Sequence, residues 1–315
     1  MAGAESPSEP LSTTIGASAL AGMWTRIFTH PLDTCKSRMQ VTVGHTDSLV
    51  RVWTKIFQRE GIRGLYAGFG ITFWGSAPAT CLYMTSYEVS KNYLIQSSVF
   101  GQHHTMAHFT SGIVAEAVCC LLYVPIDVLK ERMQVQNLSS NTASKYRGPV
   151  HGLKTIFAEE GARGIYKGYY ATMLSFGPFS AFYLSFYEQF KSLAQHLYFP
   201  PPATLNAATE SSTRLELPFW LSLLTGASAG SLASFITTPL DLVKLRLQVQ
   251  RSKTQMAFNF HYSGFLGGLR SIALEGGIRA LFRGASARVA AVAPNTAIFM
   301  SSYEFLKARI SQLQH

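Results

Sequence analysis

Three stretches of the chain set the same polar residues at the same spacing. They are PLDTCKSRMQ (31–40), PIDVLKERMQ (125–134) and PLDLVKLRLQ (239–248), with Pro, Asp, Lys, Arg and Gln in step. On a helix, residues three and four apart share a face, so Asp33 and Lys36 point the same way and Gln40 lies one turn further on. Asp127, Lys130 and Gln134 repeat the arrangement, as do Asp241, Lys244 and Gln248. A second set of paired charges follows later in each unit, in YEVSK (87–91), YEQFK (187–191) and YEFLK (303–307). Such groups can make and break ion pairs. They do not form a nucleophile–base set, a metal-ligand spacing or a glycine-rich nucleotide loop, so the chain reads as no enzyme, with no metal and no cofactor. His103, His104 and His108 read as exposed histidines at a helix start. Cys35, Cys81, Cys119 and Cys120 make no C-x-x-C pair and read as free thiols.

The charges sit in an apolar chain. Of 315 residues, 47% are hydrophobic and 14% charged, against about 25% charged in ordinary globular proteins; mean hydropathy is +0.13. The net charge of +10 admits nucleic acid or an anionic membrane as partner. Placement decides between them. Most of the basic residues follow the first polar block or flank the second, EGIRGLYAG (60–68), EGARGIYKG (160–168) and EGGIRALFRG (275–284). That is the bias of a positive inner side, and it argues against nucleic acid, which calls for one basic stripe. The termini and the YE blocks then fall on the outer side. Residues 1–11 are acidic and lack arginine, which fits a flexible outer segment better than a signal or transit peptide.

The three blocks recur in fixed order, with Gly68 to Glu88, Gly168 to Glu188 and Gly284 to Glu304 equally spaced. A period of about 100 residues is too long for a solenoid and points to three units around an axis. The units span 12–98, 103–198 and 217–312, with a linker at 199–216. Each reads as two long helices around a short one. The first long helices run Ile15–Gln40, Ala107–Gln136 and Phe219–Gln250, bent at Pro31, Pro125 and Pro239. The second run from Gly68, Gly168 and Gly284 to the YE blocks, bent at Pro78, Pro178 and Pro294. The short helix is amphipathic, with Leu49, Val52, Ile56 and Phe57 opposite Arg51, Lys55 and Arg59. The expected fold is an all-α membrane protein with six transmembrane helices in three pseudosymmetric repeats.

The triplicated PxDxxKxRxQ, EGxxGxYxG and YExxK blocks resemble the mitochondrial carrier family over nearly all of residues 14–310. The resemblance implies a multi-pass, monomeric transporter of the mitochondrial inner membrane, with termini toward the intermembrane space. Its central cavity would open to either side in turn. It implies an inner gate of Asp33–Lys130, Asp127–Lys244 and Asp241–Lys36, braced by Gln40, Gln134 and Gln248. It implies an outer gate of Glu88–Lys191, Glu188–Lys307 and Glu304–Lys91, braced by Tyr87, Tyr187 and Tyr303. Complete rings at both ends fit antiport. Substrate contacts would fall at Gly75, at Ser175 with Phe176, and at Ala291. Cardiolipin is expected at the helix N-termini around Gly68, Gly168 and Gly284, and around Gly148 and Gly264 before the short helices. The first unit has His45-Thr46-Asp47 where an aromatic-x-Gly precedes the other short helices.

Three further charges lie at membrane depth. Arg26 is seven residues before Asp33 and Glu116 eleven before Asp127, close to two and three whole turns, so both face the cavity. Glu116 stands where the other units have Gly22 and Gly230, the second glycines of small-residue packing pairs with Ser18 and Gly226. Arg288 is the third. One carboxylate and two guanidiniums suit a zwitterionic or cationic metabolite better than a polyanion. Two branches look closest. S-adenosylmethionine carriers are suggested by the placement of Glu116 and Cys120, mitoferrin-like metal carriers by Gly75, Pro78, Ala79 and the run Ala287–Ile298. Arg26 departs from both. A non-transporting membrane receptor on the same fold is the remaining alternative.

Overall fold

The computed structural model describes residues 11–42, 47–97, 104–138, 146–198, 218–250 and 261–314, apart from the side chains of 11–15, 104–105, 304 and 307–314. Among these residues the fold is all helical. The order is α1 (Leu11–Val41), α2 (Leu49–Leu65), α3 (Phe69–Gln96), α4 (His104–Val135), α5 (Pro149–Ile165), α6 (Tyr169–Tyr198), α7 (Phe219–Ile236), α8 (Thr238–Val249), α9 (Phe265–Leu281) and α10 (Ala285–Gln314), with a 3₁₀ turn at Gln136–Leu138. The pattern long–short–long occurs three times. The N-terminal segment and the 199–216 linker lie outside the described residues.

Proline acts differently in the three units. Pro31 and Pro125 stay inside α1 and α4. At the third site the helix stops at Ile236, and Pro239 falls in the first turn of α8, where its missing N–H is least costly. The third unit's first arm is therefore two helices, not one bent one.

The long arms close into a ring: α1 packs on α3, α3 on α4, α4 on α6, α6 on α7, α7 on α10 and α10 on α1. Three glycines set how closely the units approach. Gly68, Gly168 and Gly284 open the second arms with φ of 76°, 83° and 78°, a region that favours glycine. A Cβ on Gly168 would lie 2.9 Å from Gln248, and one on Gly284 2.8 Å from Gln40. A Cβ on Gly68 would lie 3.3 Å from the Lys130 carbonyl oxygen. Each unit thus presses its glycine corner onto the PxDxxKxRxQ segment of the next. Gly230 does similar work between arms, where a Cβ would meet Val292 at 2.7 Å. Gly22 has open space around it, so the small-residue packing expected there belongs to the third unit only.

The burial pattern is inverted relative to a soluble protein. Arg132, His30, Gln40, Gln134 and Gln248 are among the largest fully buried side chains, whereas Trp24, Phe28, Trp74, Leu121, Leu174 and Trp220 are exposed. Among the described residues two helical stretches are long and apolar enough to cross a membrane by composition, Met106–Leu138 and Phe219–Ile236. The remaining arms have the length, and carry their charges on the inward face described next.

Candidate functional site

The PxDxxKxRxQ segments end the first arms and converge where the glycine corners press them together. Here the structure brings together the three cross-unit pairs. Lys36 Nζ lies 2.7 Å from Asp241, Lys244 Nζ 2.9 Å from Asp127, and Lys130 Nζ 3.7 Å from Asp33. Two glutamines reinforce them: Gln40 Nε2 donates to Asp241 at 3.3 Å and Gln248 Nε2 to Asp127 at 3.0 Å. The third does not. Gln134 Nε2 donates to the Thr34 hydroxyl at 3.1 Å, away from its expected pair. Arg26 takes its place from the opposite side, with Nη1 donating to Asp33 at 3.1 Å.

On the far side of this closed ring lies a cavity of about 450 Å³, bordered by Arg26, Glu116, Tyr83, Tyr123, Ser175, Phe176, Phe179, Lys244 and Arg288 among others. Glu116 makes no ion pair among the described residues; its one polar contact is the thiol of Cys120, donating at 3.4 Å. Arg288 spans ring and cavity, with Nε 3.7 Å from Asp241 and its guanidinium 5.8 Å from the Phe179 ring centre.

Two expected contacts lie outside the lining of this cavity. Gly75 borders not this cavity but a small space beside it, with Arg26, Ser76, Tyr123, Asp127 and Lys130. It faces Ile126 on α4, where an added Cβ would lie 2.7 Å from Cδ1, and the adjacent Ser76 takes the cavity position. Ala291 is buried at 7% exposure. Its methyl group ends short of the open space that Arg288, one turn earlier, reaches.

At the other end of the arms the expected pairing of Glu88 with Lys191 is not made. Glu88 is held by Lys91 of its own helix at 2.5 Å. The ammonium of Lys191 lies 6.0 Å from the centre of its own neighbour's ring, Tyr187. Tyr87, expected to brace an outer pair, exchanges a hydrogen bond with His108 Nδ1 at 2.9 Å. The side chains of Glu304 and Lys307 lie outside the described residues, so Glu188–Lys307 and Glu304–Lys91 do too, as does His103. Tyr303 stacks on Phe299. One end of the bundle is closed by cross-unit ion pairs, while Glu88 and Lys191 at the other end are satisfied within their own helices.

The family model for mitochondrial carrier proteins matches the chain three times, at residues 7–98, 101–197 and 215–313. The chain belongs to the mitochondrial carrier family. Family members are transporters, generally of the mitochondrial inner membrane, and this carrier is therefore not an enzyme. It is 34% identical to mitochondrial substrate carrier family protein E of Dictyostelium discoideum, over 92% of this chain and 93% of that one. It is 31% identical to human mitoferrin-2, over 96% and 79%. It is 30% identical to S-adenosylmethionine carrier 1 of Arabidopsis thaliana, over 94% and 78%.

Beneath its ring the carrier has a second ionic layer, built on arginines that spacing alone marks only as inner-side positive charge. Arg38 is paired with Glu60, and Arg132 with Glu160 through Nη1 at 2.6 Å and Nη2 at 3.0 Å. Each arginine also donates Nε to a carbonyl of the next unit: Arg38 to Gln134 at 2.9 Å, Arg132 to Gln248 at 3.0 Å and Arg246 to Gln40 at 3.1 Å. Burial alone would raise the Glu60 carboxyl; the bonds from Arg38 and Asn137 outweigh it and hold it below its ordinary range. The third unit differs. Its positive-φ glycine is Gly277, matching Gly61 and Gly161, so Gly276 occupies the glutamate position and Glu275 falls one residue early. Arg246 donates instead to the Tyr262 hydroxyl at 3.0 Å. Glu160→Ala should leave Arg132, which is 1% exposed, with carbonyl acceptors but no counter-charge. The expected loss is about 3–5 kcal/mol, read as a lowered thermal unfolding midpoint of the detergent-purified carrier. An unchanged midpoint would mean that the pair contributes nothing to stability.

The glycines assigned to lipid fall at helix starts. Gly148 and Gly264 precede α5 and α9 with extended backbone. Gly168 and Gly264 border one groove of about 680 Å³ with Tyr166, Lys167 and Tyr262.

Proposed function

We propose that this chain is a six-span carrier of the mitochondrial inner membrane. It would exchange a small solute bearing both a cationic and an anionic group, with S-adenosylmethionine the favoured candidate. Alternating access between the two ion-pair rings would move it. The single observation that carries the reading is Glu116, an acid without an ionic partner among the described residues, facing a cavity whose floor holds Arg26 and Arg288. A charge at membrane depth costs about 2.5–3.5 kcal/mol on insertion scales, so one left unpaired marks a ligand path. Counting Glu131, the ion-pair partner of Lys130 beside the ring, the acids (Asp33, Asp127, Asp241, Glu116, Glu131) equal the bases in number (Lys36, Lys130, Lys244, Arg26, Arg288). Such an interior suits a solute with charges of both signs and disfavours polyanions such as nucleotides.

The lengths of the arms support six spans. At 1.5 Å per residue, the 28 residues of α3 suffice for a hydrocarbon core of about 30 Å, and α1, α4, α6 and α10 are longer. The exposed apolar exterior fits lipid contact. A closed inner ring with Glu88 and Lys191 unpaired across the outer end fits an outward-open state with the termini outside, and exchange rather than leak. The groove beside Lys167 and the α9 N-terminus has the shape and charge for a cardiolipin headgroup. No group of three His, Cys, Asp or Glu suited to a metal occurs among the described residues, and Arg26 in the path disfavours a metal cation.

The test is exchange by the full chain in cardiolipin-containing liposomes loaded with S-adenosylmethionine. Uptake of labelled S-adenosylmethionine that requires internal S-adenosylmethionine is the expected result. Exchange restricted to ferrous iron, dicarboxylates or nucleotides would overturn the solute class. No exchange of any of them would favour the receptor reading.

A further inference from the structure

We infer that Arg26 is a latch on the inner ring, and that the carboxylate of an amphoteric solute releases it. This rests on the carrier reading above and adds which chemical group of the solute opens the gate.

The ring's three pairs are not braced from the same side. Gln40 and Gln248 reach their aspartates from the inner side and are 0% and 1% exposed. No solute in the cavity can touch them while the ring is shut. Gln134 serves Thr34 instead, and the bracing bond to Asp33 comes from Arg26, whose side chain is 29% exposed and borders the cavity. One brace of three is therefore within reach of a bound solute.

It is also the brace of the weakest pair. Lys130 lies 3.7 Å from Asp33 and nearer, at 3.2 Å, to Glu131. Glu131 is 6% exposed, and its second carboxylate oxygen is buried with no hydrogen-bond partner. When Arg26 leaves, Asp33 loses its shortest contact, and Lys130 already has another acceptor. Arg288 also borders the cavity, but Asp241 keeps Lys36 at 2.7 Å and Gln40 if Arg288 departs. That pair holds.

Asp33 takes one hydrogen bond from Arg26 through Nη1. A carboxylate arriving from the cavity can accept two in parallel from the guanidinium fork. With its cationic group against Glu116, an amino-acid-like solute can present its carboxylate to Arg26. A solute with the same cation and no carboxylate binds Glu116 and leaves the latch shut.

The probes are S-adenosylmethionine and its decarboxylated form, offered outside liposomes that contain the full chain and internal S-adenosylmethionine. The wild type should prefer the carboxylate form about 10- to 100-fold, the worth of a charge-assisted hydrogen bond. Arg26→Gln should narrow the preference to about threefold or less and raise uptake of the decarboxylated form above the wild-type rate, because Asp33 is no longer held. Arg26→Lys should fall between, and decides the matter if Arg26→Gln does not fold. Arg288→Gln should keep the preference while slowing both solutes. The latch is wrong if Arg26 variants keep the full preference, or if they lose it without any gain for the decarboxylated form. If the wild type exchanges S-adenosylmethionine without a preference, the latch alone falls. If it exchanges neither solute, the solute reading falls and takes the latch with it.

Discussion

Asp127→Lys is expected to abolish exchange, and adding Lys244→Asp should bring back a measurable part of it. Asp127 is 5% exposed, 2.9 Å from Lys244 and 3.0 Å from the Gln248 amide. Its reversal sets two cations together in a buried site and strands Lys244. Breaking a buried pair in this way costs about 3–5 kcal/mol, a shift of about 100- to 1,000-fold or more in the population of the closed-inner state. A carrier that cannot close one end cannot complete the exchange cycle. The double variant restores one charge of each sign, and an amide such as Gln248 can serve either orientation, since it has both a donor and an acceptor. The corresponding swap at the first pair, Asp33→Lys with Lys130→Asp, should recover less. There Arg26 would face a cation and Glu131 an anion in direct contact, whereas neither Asp127 nor Lys244 has a third charged group within ion-pair distance among the described residues. Initial exchange rates of the four variants in liposomes measure the difference. Equal recovery at the two pairs would show that Arg26 and Glu131 do not bear on the ring.

Spacing tells which residues share a helix face, and the family resemblance, not spacing, implies which Asp and Lys the units set against each other. Neither tells how far each helix is turned about its axis. Gly75 and Ser76 are neighbours, yet Ser76 borders the main cavity, while Gly75, against Ile126, reaches only the small space beside it. Ala291 and Arg288 lie one turn apart on α10, and side-chain reach decides between them. Gln134 has the same residue type and register as Gln40 and Gln248, but Thr34 offers it a hydroxyl closer to hand. The Arg–Glu layer was readable in principle. Arg38, Arg132 and Arg246 recur in step, and Glu60 and Glu160 stand before a glycine in each of two units. The third unit hides its departure, because EGG looks like EG until the φ of 67° at Gly277 fixes the register. The role of Arg26 could not be read from its own position. It follows from what Gln134 fails to do in another unit, more than a hundred residues away in the chain.

Glu116→Gln should lower exchange of a cationic or zwitterionic solute by about 10- to 100-fold, the range expected for losing one charge-assisted contact. The substitution keeps the side chain's shape and an acceptor for the Cys120 thiol, so the loss reports charge rather than packing. Its sign can be checked independently. Removing one acid from an interior with matched acids and bases leaves it one unit positive, and selectivity should move toward anions. Uptake of succinate relative to S-adenosylmethionine is therefore expected to rise in Glu116→Gln and to stay low in Glu116→Asp, which keeps the charge on a shorter stem. Glu116→Gly makes a different comparison, because glycine is what the other two units carry at Gly22 and Gly230. It should fold, since Gly22 shows that an arm tolerates open space at this level, and it should transport no better than Glu116→Gln. Exchange at the wild-type rate in Glu116→Gln would mean that the acid does not meet the solute. The cavity's selectivity would then rest on Arg26, Arg288 and the aromatic wall of Tyr83, Phe176 and Phe179.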